Sequence, residues 1–578
     1  MPNRPNGLYT FRPNVMGTRH VVAAGHHMSA QAALMVLEAG GNAIDAGVAA
    51  GLATAVLEPT HVSLAGVAPI ILRHAKSNQI VTISGLGWWP KAASCDYFQH
   101  EHQGQIPIGL PRTVIPAAQD AWITALEHFG RMSFAEVAVA TIRLARDGFP
   151  TYPRLRDFAR GNEAIFRQWP SSSAVYLRAG RPPEVGELFF QTDAAAMLQY
   201  MADEERAAAR LGRKAGLRAA RDAFYRGDIA DTIAKYFREN GGLLTKEDLA
   251  AFRVGIEAPV HTTFRGMHVY GCGPWTQGPM LLQALNILEG LDLAAMRHNS
   301  ADYVHALSET LKLVAADREA YYGDPRFIDV PMGALLDKRY GAVRRELIRS
   351  HAYIDMPPAG KVPLAEPWHG GEALEPTGGH LQSVYDTSYL CVVDHAGNAF
   401  SATPSDGSAS TPILPGLGCV VSPRGDSSWT DPRHPSSVVA GKRPRLTCNP
   451  ALAMREGETI MPFGTPGGDV QVQTMLQVFL NIVAFGMDPQ SAIEAPRFAS
   501  YGFPSSFWPH DRIPGRLNLE AEIGAEAGEE LTRRGHRIEW WQGPMNAAGT
   551  ACAIVGDLRN GLISGGADIR RNAYAVGW

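Results

Sequence analysis

A run rich in proline and glycine interrupts this chain two thirds of the way along. Residues 356–383 hold Pro357, Pro358, Pro363, Pro367 and Pro376, with Gly360, Gly370, Gly371, Gly378 and Gly379. Proline lacks a backbone donor and glycine frees the backbone, so the run reads as loop. So long a loop is uncommon inside a compact domain. It makes sense as a segment freed when the chain is cut at its end. Directly behind it comes Tyr385-Asp386-Thr387-Ser388-Tyr389-Leu390-Cys391-Val392-Val393-Asp394. After the polar Asp-Thr-Ser break, apolar positions follow at strand spacing. The chain then turns through His395-Ala396-Gly397-Asn398 into a second apolar stretch. A threonine at such an edge is a weak nucleophile. A cut just before it would release an α-amine able to take the proton from its own hydroxyl. From this segment alone the plainer alternative is a β-branched residue filling a strand, as most threonines in such runs do.

The other elements are read from periodicity and breakers. Residues 29–57 predict two small-residue helices separated by Gly40-Gly41, and 67–86 alternate like a hairpin. Met132 to Arg146 predicts a helix stopped by Gly148 and Pro150. Lys246 to Ala251, Gln277 to Leu288 and Ala301 to Tyr322 predict three more. Glu204 to Asp222, rich in Ala, Arg and Lys, predicts an added exposed helix with a solvated charged face. After Thr387 strands predominate, with one clear helix from Gln471 to Phe485. Ala46 to Leu57 is the most apolar early stretch. It is short, and Glu38, Asp45 and Glu58 flank or interrupt it, so it reads as a packed core helix and not a membrane span.

Composition narrows the function. The 578 residues include 53 Lys+Arg and 57 Asp+Glu, a formal charge of −4 that argues against a broad nucleic-acid footprint. Length alone would allow three or four domains. Cys95, Cys272, Cys391, Cys419, Cys448 and Cys552 are scattered without a Cys-x-x-Cys pair, so neither zinc nor a disulfide framework is signalled. Isolated thiols and a polar start, Met1 to Gly7, lead us to expect a cytoplasmic protein. No metal-ligand spacing and no phosphate loop appears, so no cofactor and no metal are expected.

Several separated segments together resemble the γ-glutamyltransferase family of N-terminal-nucleophile hydrolases. They are His26-His27-Met28-Ser29-Ala30; Val36 to Ala46 with Glu58-Pro59; Leu144 to Phe149; Ala223-Phe224-Tyr225-Arg226-Gly227; Asn240 to Leu249; Gly323-Asp324-Pro325; the Asp-Thr-Ser segment; Gly441-Lys442-Arg443-Pro444; Gly464-Thr465-Pro466-Gly467-Gly468; and Ala495-Pro496-Arg497-Phe498. The ordered set spans nearly the whole chain. The resemblance implies an α+β fold, a four-layer αββα sandwich with the nucleophile at the edge of a central sheet. It implies self-cleavage between Asp386 and Thr387 into a large segment, 1–386, and a small one, 387–578, interleaved in one globular domain. It further implies a small-molecule amide substrate; the charge balance and the short apolar stretches predict no nucleic-acid or membrane partner, and the large apolar fraction permits a homodimer of processed two-chain protomers. Many members are exported, so the N-terminus is a departure.

Thr387 occupies the position of the family nucleophile. Gly467 and Gly468 occupy positions whose backbone N–H groups serve the oxyanion; the plain alternative is a Pro-Gly turn. Ser405 stands eighteen residues on, where the family has a threonine bonded to the nucleophile. It reads as that partner, or as a turn residue in Pro404-Ser405-Asp406-Gly407. Around the substrate the chain leaves the pattern of true γ-glutamyltransferases. Cys95 falls where they carry a carboxylate-binding arginine, and Leu446 and Thr447 fall on their Ser-Ser pair. Their Asn and acidic residue fall near Gly407 and around Asp426 to Ser427. The Gly-rich run after Glu-Pro is here Ser63 to Ala68. In exchange, Arg424 in Ser422-Pro423-Arg424-Gly425-Asp426 resembles the family's amidohydrolase-like branch, which includes oxamate amidohydrolases and cephalosporin acylases. An arginine fork fits a carboxylate. Arg424, Thr447 and Asp426 are therefore the expected substrate-binding residues, though Arg424 also reads as an exposed loop arginine. Trp429 is a candidate aromatic lid and Arg443 a structural residue. The competing reading is an uncleaved, non-catalytic binding protein of the same fold.

Overall fold

The computed structural model describes residues 10–363, 365–370, 387–541 and 546–578. Asp386 lies outside them. Two seven-stranded sheets carry the architecture. The first runs Val15–Gly17, Leu562–Ala567, Cys552–Asp557, Thr459–Gly464, Ala451–Arg455, Met267–Gly271, Val260–Phe264. The second runs Tyr574–Gly577, His20–Ala24, Leu390–Asp394, Ala399–Ala402, Ile70–His74, Gln79–Ile83, Ile256–Glu257. Pairing within both is antiparallel. In the second, Leu390 sits between Ala24 and Ala402, so strands from before and after residue 387 are paired side by side.

Alternation along each strand explains the layering. Val21, Ala23, Cys391 and Val393 from the second sheet pack with Leu452, Ile460, Cys552 and Ile554 from the first, in one buried cluster. Their neighbours Val22, Ala24, Leu390 and Val392 point the other way, into a cluster with the helices His27–Glu38 and Ala43–Leu57. On the far face of the first sheet, Val269, Ala453 and Phe463 pack with the helices Gly278–Leu288, Ala301–Tyr321 and Val470–Val483. The central strands His20–Ala24, Leu390–Asp394 and Ala399–Ala402 are therefore buried at every position, on both faces.

The small residues of Ala43–Leu57 allow close packing, and every one of its fifteen residues is buried. Asn42 caps its start in a capping box with Asp45, and Pro59 prevents its continuation. The expected hairpin is Ile70–His74 with Gln79–Ile83. The helices expected near residues 132, 246, 277, 301 and 471 all form, within three residues of the predicted ends.

Two expectations are corrected. Residues 204–222 are not one added exposed helix. They hold the end of Thr192–Ala208 and most of Arg213–Tyr225, separated at Gly212, whose φ is +97°. Leu217, Ala220 and Phe224 are buried, at helical spacing. Arg221 is buried against Asp120. After Thr387 there are two further helices besides Val470–Val483, at Pro489–Glu494 and Ala525–Arg533. No helix among the described residues is long and apolar enough to cross a membrane.

Candidate active site

Thr387 sits just before the strand Leu390–Asp394, in the middle of the second sheet. It has no exposed surface. Its φ is +74°, a conformation that a β-branched side chain adopts only under strain. The surroundings hold it there. Its N–H donates to the His61 carbonyl at 3.1 Å, and its carbonyl accepts from Arg571 Nη1 at 3.3 Å. Its hydroxyl lies 2.8 Å from Ser405 Oγ and 3.7 Å from Cys448 Sγ. The two hydroxyls meet because Ser388 N–H bonds the Pro404 carbonyl at 3.0 Å, laying residues 403–405 alongside 387–389.

Ser405 is buried, and of its two readings the structure shows the one in contact with Thr387. Its Oγ also accepts from Arg424. Arg424 is 2% exposed and is not a loop arginine in solvent. Its Nε donates to Asp406 Oδ1 at 2.7 Å, and its guanidinium lies 5.2 Å from the centre of the Phe507 ring. Asp406, with φ +97°, is a second non-glycine in a left-handed conformation next to the hydroxyl pair.

Arg424 and Asp406 form part of the wall of a cavity of about 610 Å³. Gly467 and Gly468 line it too, between the strand Thr459–Gly464 and the helix Val470–Val483. Their φ values are +126° and +57°, and glycine alone takes both without strain. The turn places backbone N–H groups at the positive end of a helix. Among the described residues neither N–H donates to a protein acceptor. Asp426 lines the same cavity and accepts from Arg112 Nη1 at 3.4 Å. Aromatic rings of Tyr501, Phe503, Phe507 and Trp540 supply its apolar wall.

Not every expected residue reaches this cavity. Thr447 is fully buried and outside its lining, although its neighbour Cys448 touches the Thr387 hydroxyl. Cys95 starts the helix Cys95–His102, packs with Trp89 and Phe98, and lies 3.3 Å from the Val438 carbonyl. Burial pushes its thiol up. Trp429 is no lid: its ring stacks on His510 at 3.9 Å and on His434 at 4.4 Å, behind the wall. Arg443 pairs with Asp324 at 3.0 Å and Glu257 at 2.6 Å, as a structural residue would.

Arg112 was missed by the sequence reading. It projects to the cavity from the short turn Leu110–Arg112 while donating to the Ile106 and Pro107 carbonyls at 2.8 and 2.7 Å. No periodicity marks such a turn. A lone Arg after Leu-Pro carries no signal of where it points.

Next to Thr387, and outside the cavity lining, lies a second group of charges, buried except for the half-buried Arg154. Glu58 is 2% exposed and accepts from Ser388 Oγ at 2.6 Å. Burial pushes its carboxyl up, and the Ser388 hydroxyl, Arg571 and Arg154 oppose that rise. His61 is held well below its usual range by burial and by the same two arginines; Arg154 Nη2 lies 2.9 Å from its Nε2.

His305, Glu309 and His536 approach closely enough to share an ion. None of them lines the cavity. Glu309 is already paired with Lys312 at 2.7 Å and accepts from the Tyr353 N–H at 2.9 Å. The two imidazoles face each other at 2.9 Å.

The same constellation has relatives. The profile of the gamma-glutamyltranspeptidase family matches residues 29–578. The glutathione hydrolase-like YwrD proenzyme of Bacillus subtilis (strain 168) is 30% identical over 574 residues, covering 98% of this chain and 99% of that protein. The acylase ACY 1 proenzyme of Pseudomonas sp. (strain SE83) is 30% identical over 535 residues, 90% of this chain and 88% of its own. The crystal structure of cephalosporin acylase from Bacillus halodurans superimposes with a TM-score of 0.84 at 27% identity, covering 100% of this chain and 99% of that one. With a profile match over nearly its full length and proenzyme relatives end to end, this chain belongs to the γ-glutamyltranspeptidase family.

Proposed function

We propose that the protein is a self-processing enzyme that hydrolyses γ-glutamyl or related carboxylate-bearing amides, or transfers their acyl group, through a Thr387 acyl-enzyme. One observation carries this reading. The Thr387 hydroxyl meets Ser405 at 2.8 Å, and Ser405 is held by Arg424 in the wall of the cavity. We read the two double-covered sheets as the four-layer αββα sandwich of N-terminal-nucleophile hydrolases.

In maturation the Thr387 oxygen attacks the carbonyl carbon of Asp386. The C–N bond breaks, and the nitrogen gains the proton that the hydroxyl loses. Water then hydrolyses the ester, leaving a carboxylate at Asp386 and a free hydroxyl and α-amine at Thr387. The φ of +74° at Thr387 supports a cut there, since strain stored at the bond is released by breaking it. The fragments 1–386 and 387–578 would stay together, because each sheet is built from strands of both.

In turnover the Thr387 oxygen attacks the substrate amide and its proton passes to the α-amine. Negative charge gathers on the carbonyl oxygen, and the Gly467 and Gly468 N–H groups are its proposed donors. The α-ammonium returns the proton to the departing amine as the C–N bond breaks. Water or a second amine takes the acyl group. Arg424 is the proposed partner for a substrate carboxylate, with Asp426 across the same cavity. Cys95 offers no charge and is walled off, so an α-carboxylate clamp of the γ-glutamyltransferase kind has no counterpart there. That favours carboxylate-bearing amides of the oxamate amidohydrolase or cephalosporin acylase kind within the same mechanism.

Intact mass and a denaturing gel beside Thr387→Ala test the reading. Two fragments split at Asp386–Thr387, absent in the variant, are expected. γ-Glutamyl, oxamate-like and glutaryl amides then sort the substrate classes. A single uncut chain in both samples would leave the non-catalytic binding protein as the reading.

A further inference from the structure

Beside Thr387 lies a group of charges that the proposed turnover does not use. Like Thr387 itself, Glu58, Ser388 and Arg571 are not among the residues that line the cavity. Yet they touch the nucleophile's own residue or its neighbour. Glu58 ends the helix Ala43–Leu57 and is aimed at the start of the strand that carries Thr387. Its Oε2 accepts from Ser388 Oγ at 2.6 Å. The pair is wedged against the end of the strand His20–Ala24: a Cβ at Gly25 would collide with both Ser388 Oγ and Glu58 Oε2. Gly25 N–H in turn bonds the Tyr389 carbonyl at 3.1 Å.

Every charge near this carboxyl comes from another element. Arg571, after the strand Leu562–Ala567, donates to the Thr387 carbonyl at 3.3 Å. Arg154, on the helix Pro153–Gly161, bonds His61. His61 supplies the carbonyl that holds the Thr387 nitrogen. Tyr152 and Cys552 complete the surroundings; burial raises the pKa of both. Arg571 thus meets the Thr387 main chain directly and Arg154 stands one residue removed, on His61, while Glu58 is a carboxyl close enough to feel both.

We infer that Glu58 is a positioning residue for the Thr387 α-amine: through Ser388 it fixes the residue that follows the nucleophile, and its negative charge offsets Arg154 and Arg571 so that the amine is basic enough to take the hydroxyl proton. This rests on the proposed role of Thr387. An unperturbed α-amine titrates at about 7.7–8.0. Beside the buried Arg571 and the half-buried Arg154 it would fall, because the ammonium form is repelled. A base whose pKa falls too far holds the transferred proton weakly. Glu58 moves it back.

The test is the pH profile of kcat/KM on processed enzyme. Its acidic limb reports the free amine. Glu58→Gln keeps an oxygen for Ser388 and removes the charge. The limb should move to lower pH by about one unit, so that activity at the foot of the limb changes about tenfold relative to the plateau. Arg154→Gln removes a cation and should move it to higher pH. A merely structural role would lower the plateau and leave the limb in place. An unmoved limb in processed Glu58→Gln overturns the inference. Should that variant fail to mature, Arg154→Gln decides: an upward shift supports the inference and no shift overturns it. Wild-type protein that is never cut, with Thr387→Ala equally active, removes the amine and with it both readings. Cut wild type with unmoved limbs removes this one alone.

Discussion

Thr387 has two sides of opposite character. In front, the cavity wall sets polar groups among apolar rings: Arg424, Asp426 and Asp406 stand beside two glycines whose N–H groups have no protein acceptor among the described residues. Behind, Glu58, Ser388, His61 and Arg571 are packed dry, each with partners in the protein. Groups in front can exchange bonds with a substrate. Groups behind can only hold the main chain in place and set the field it feels. Changes in front should therefore divide between kcat and KM according to what they touch. Changes behind should show in maturation and in the pH profile.

The largest effect expected is Thr387→Ala, which removes the hydroxyl both sides serve. Processing should stop, and turnover should fall at least about a thousandfold; intact mass and a progress curve read both. Retained activity would break the comparison at its centre. Next is Gly467→Ala. A side chain at φ +126° twists the turn that carries the proposed oxyanion donors, so kcat should fall about a hundredfold with little change in KM. A rise in KM alone would instead make this turn a binding element.

Arg424→Ala should raise KM more than about threefold on the true substrate, since a charge-assisted bond is lost. Because Arg424 also holds Ser405, kcat should drop as well. A change confined to kcat would assign Arg424 to the nucleophile and not to the substrate. Smallest is Cys95→Ser. The thiol lies outside the cavity, so steady-state constants should stay within about twofold, with a stability loss of about 1 kcal/mol seen as a lower Tm. A large KM effect would mean that Cys95 still borders the substrate.

The legible parts of this chain were those set by local rules. Gly40-Gly41 and the Asn42 cap mark the break between two core helices, and Pro59 marks the end of the second. Residues 213–225 show the opposite case. Six Lys and Arg among them or just before suggested solvent, while Leu217, Ala220 and Phe224 kept the helical spacing of a buried face. The charge count hid the period, and Gly212 was the overlooked break. Arg112 and Phe507 had no local signal at all. Their side chains reach the cavity from irregular turns, where no repeat links sequence position to direction.

What the sequence determined by itself was the family, the strand that carries Thr387, and the glycine turn at 467–468. Each follows from backbone demands that only certain residues meet: a φ open to glycine, or a strand apolar at successive positions. Which charges surround Thr387 was decided only by tertiary structure. Glu58, Arg154, Ser405, Arg424 and Arg571 come from distant stretches of chain and meet because two sheets and their helices bring them there. Electrostatic influence depends on distance through space and on exclusion of water, and neither is written in the order of residues.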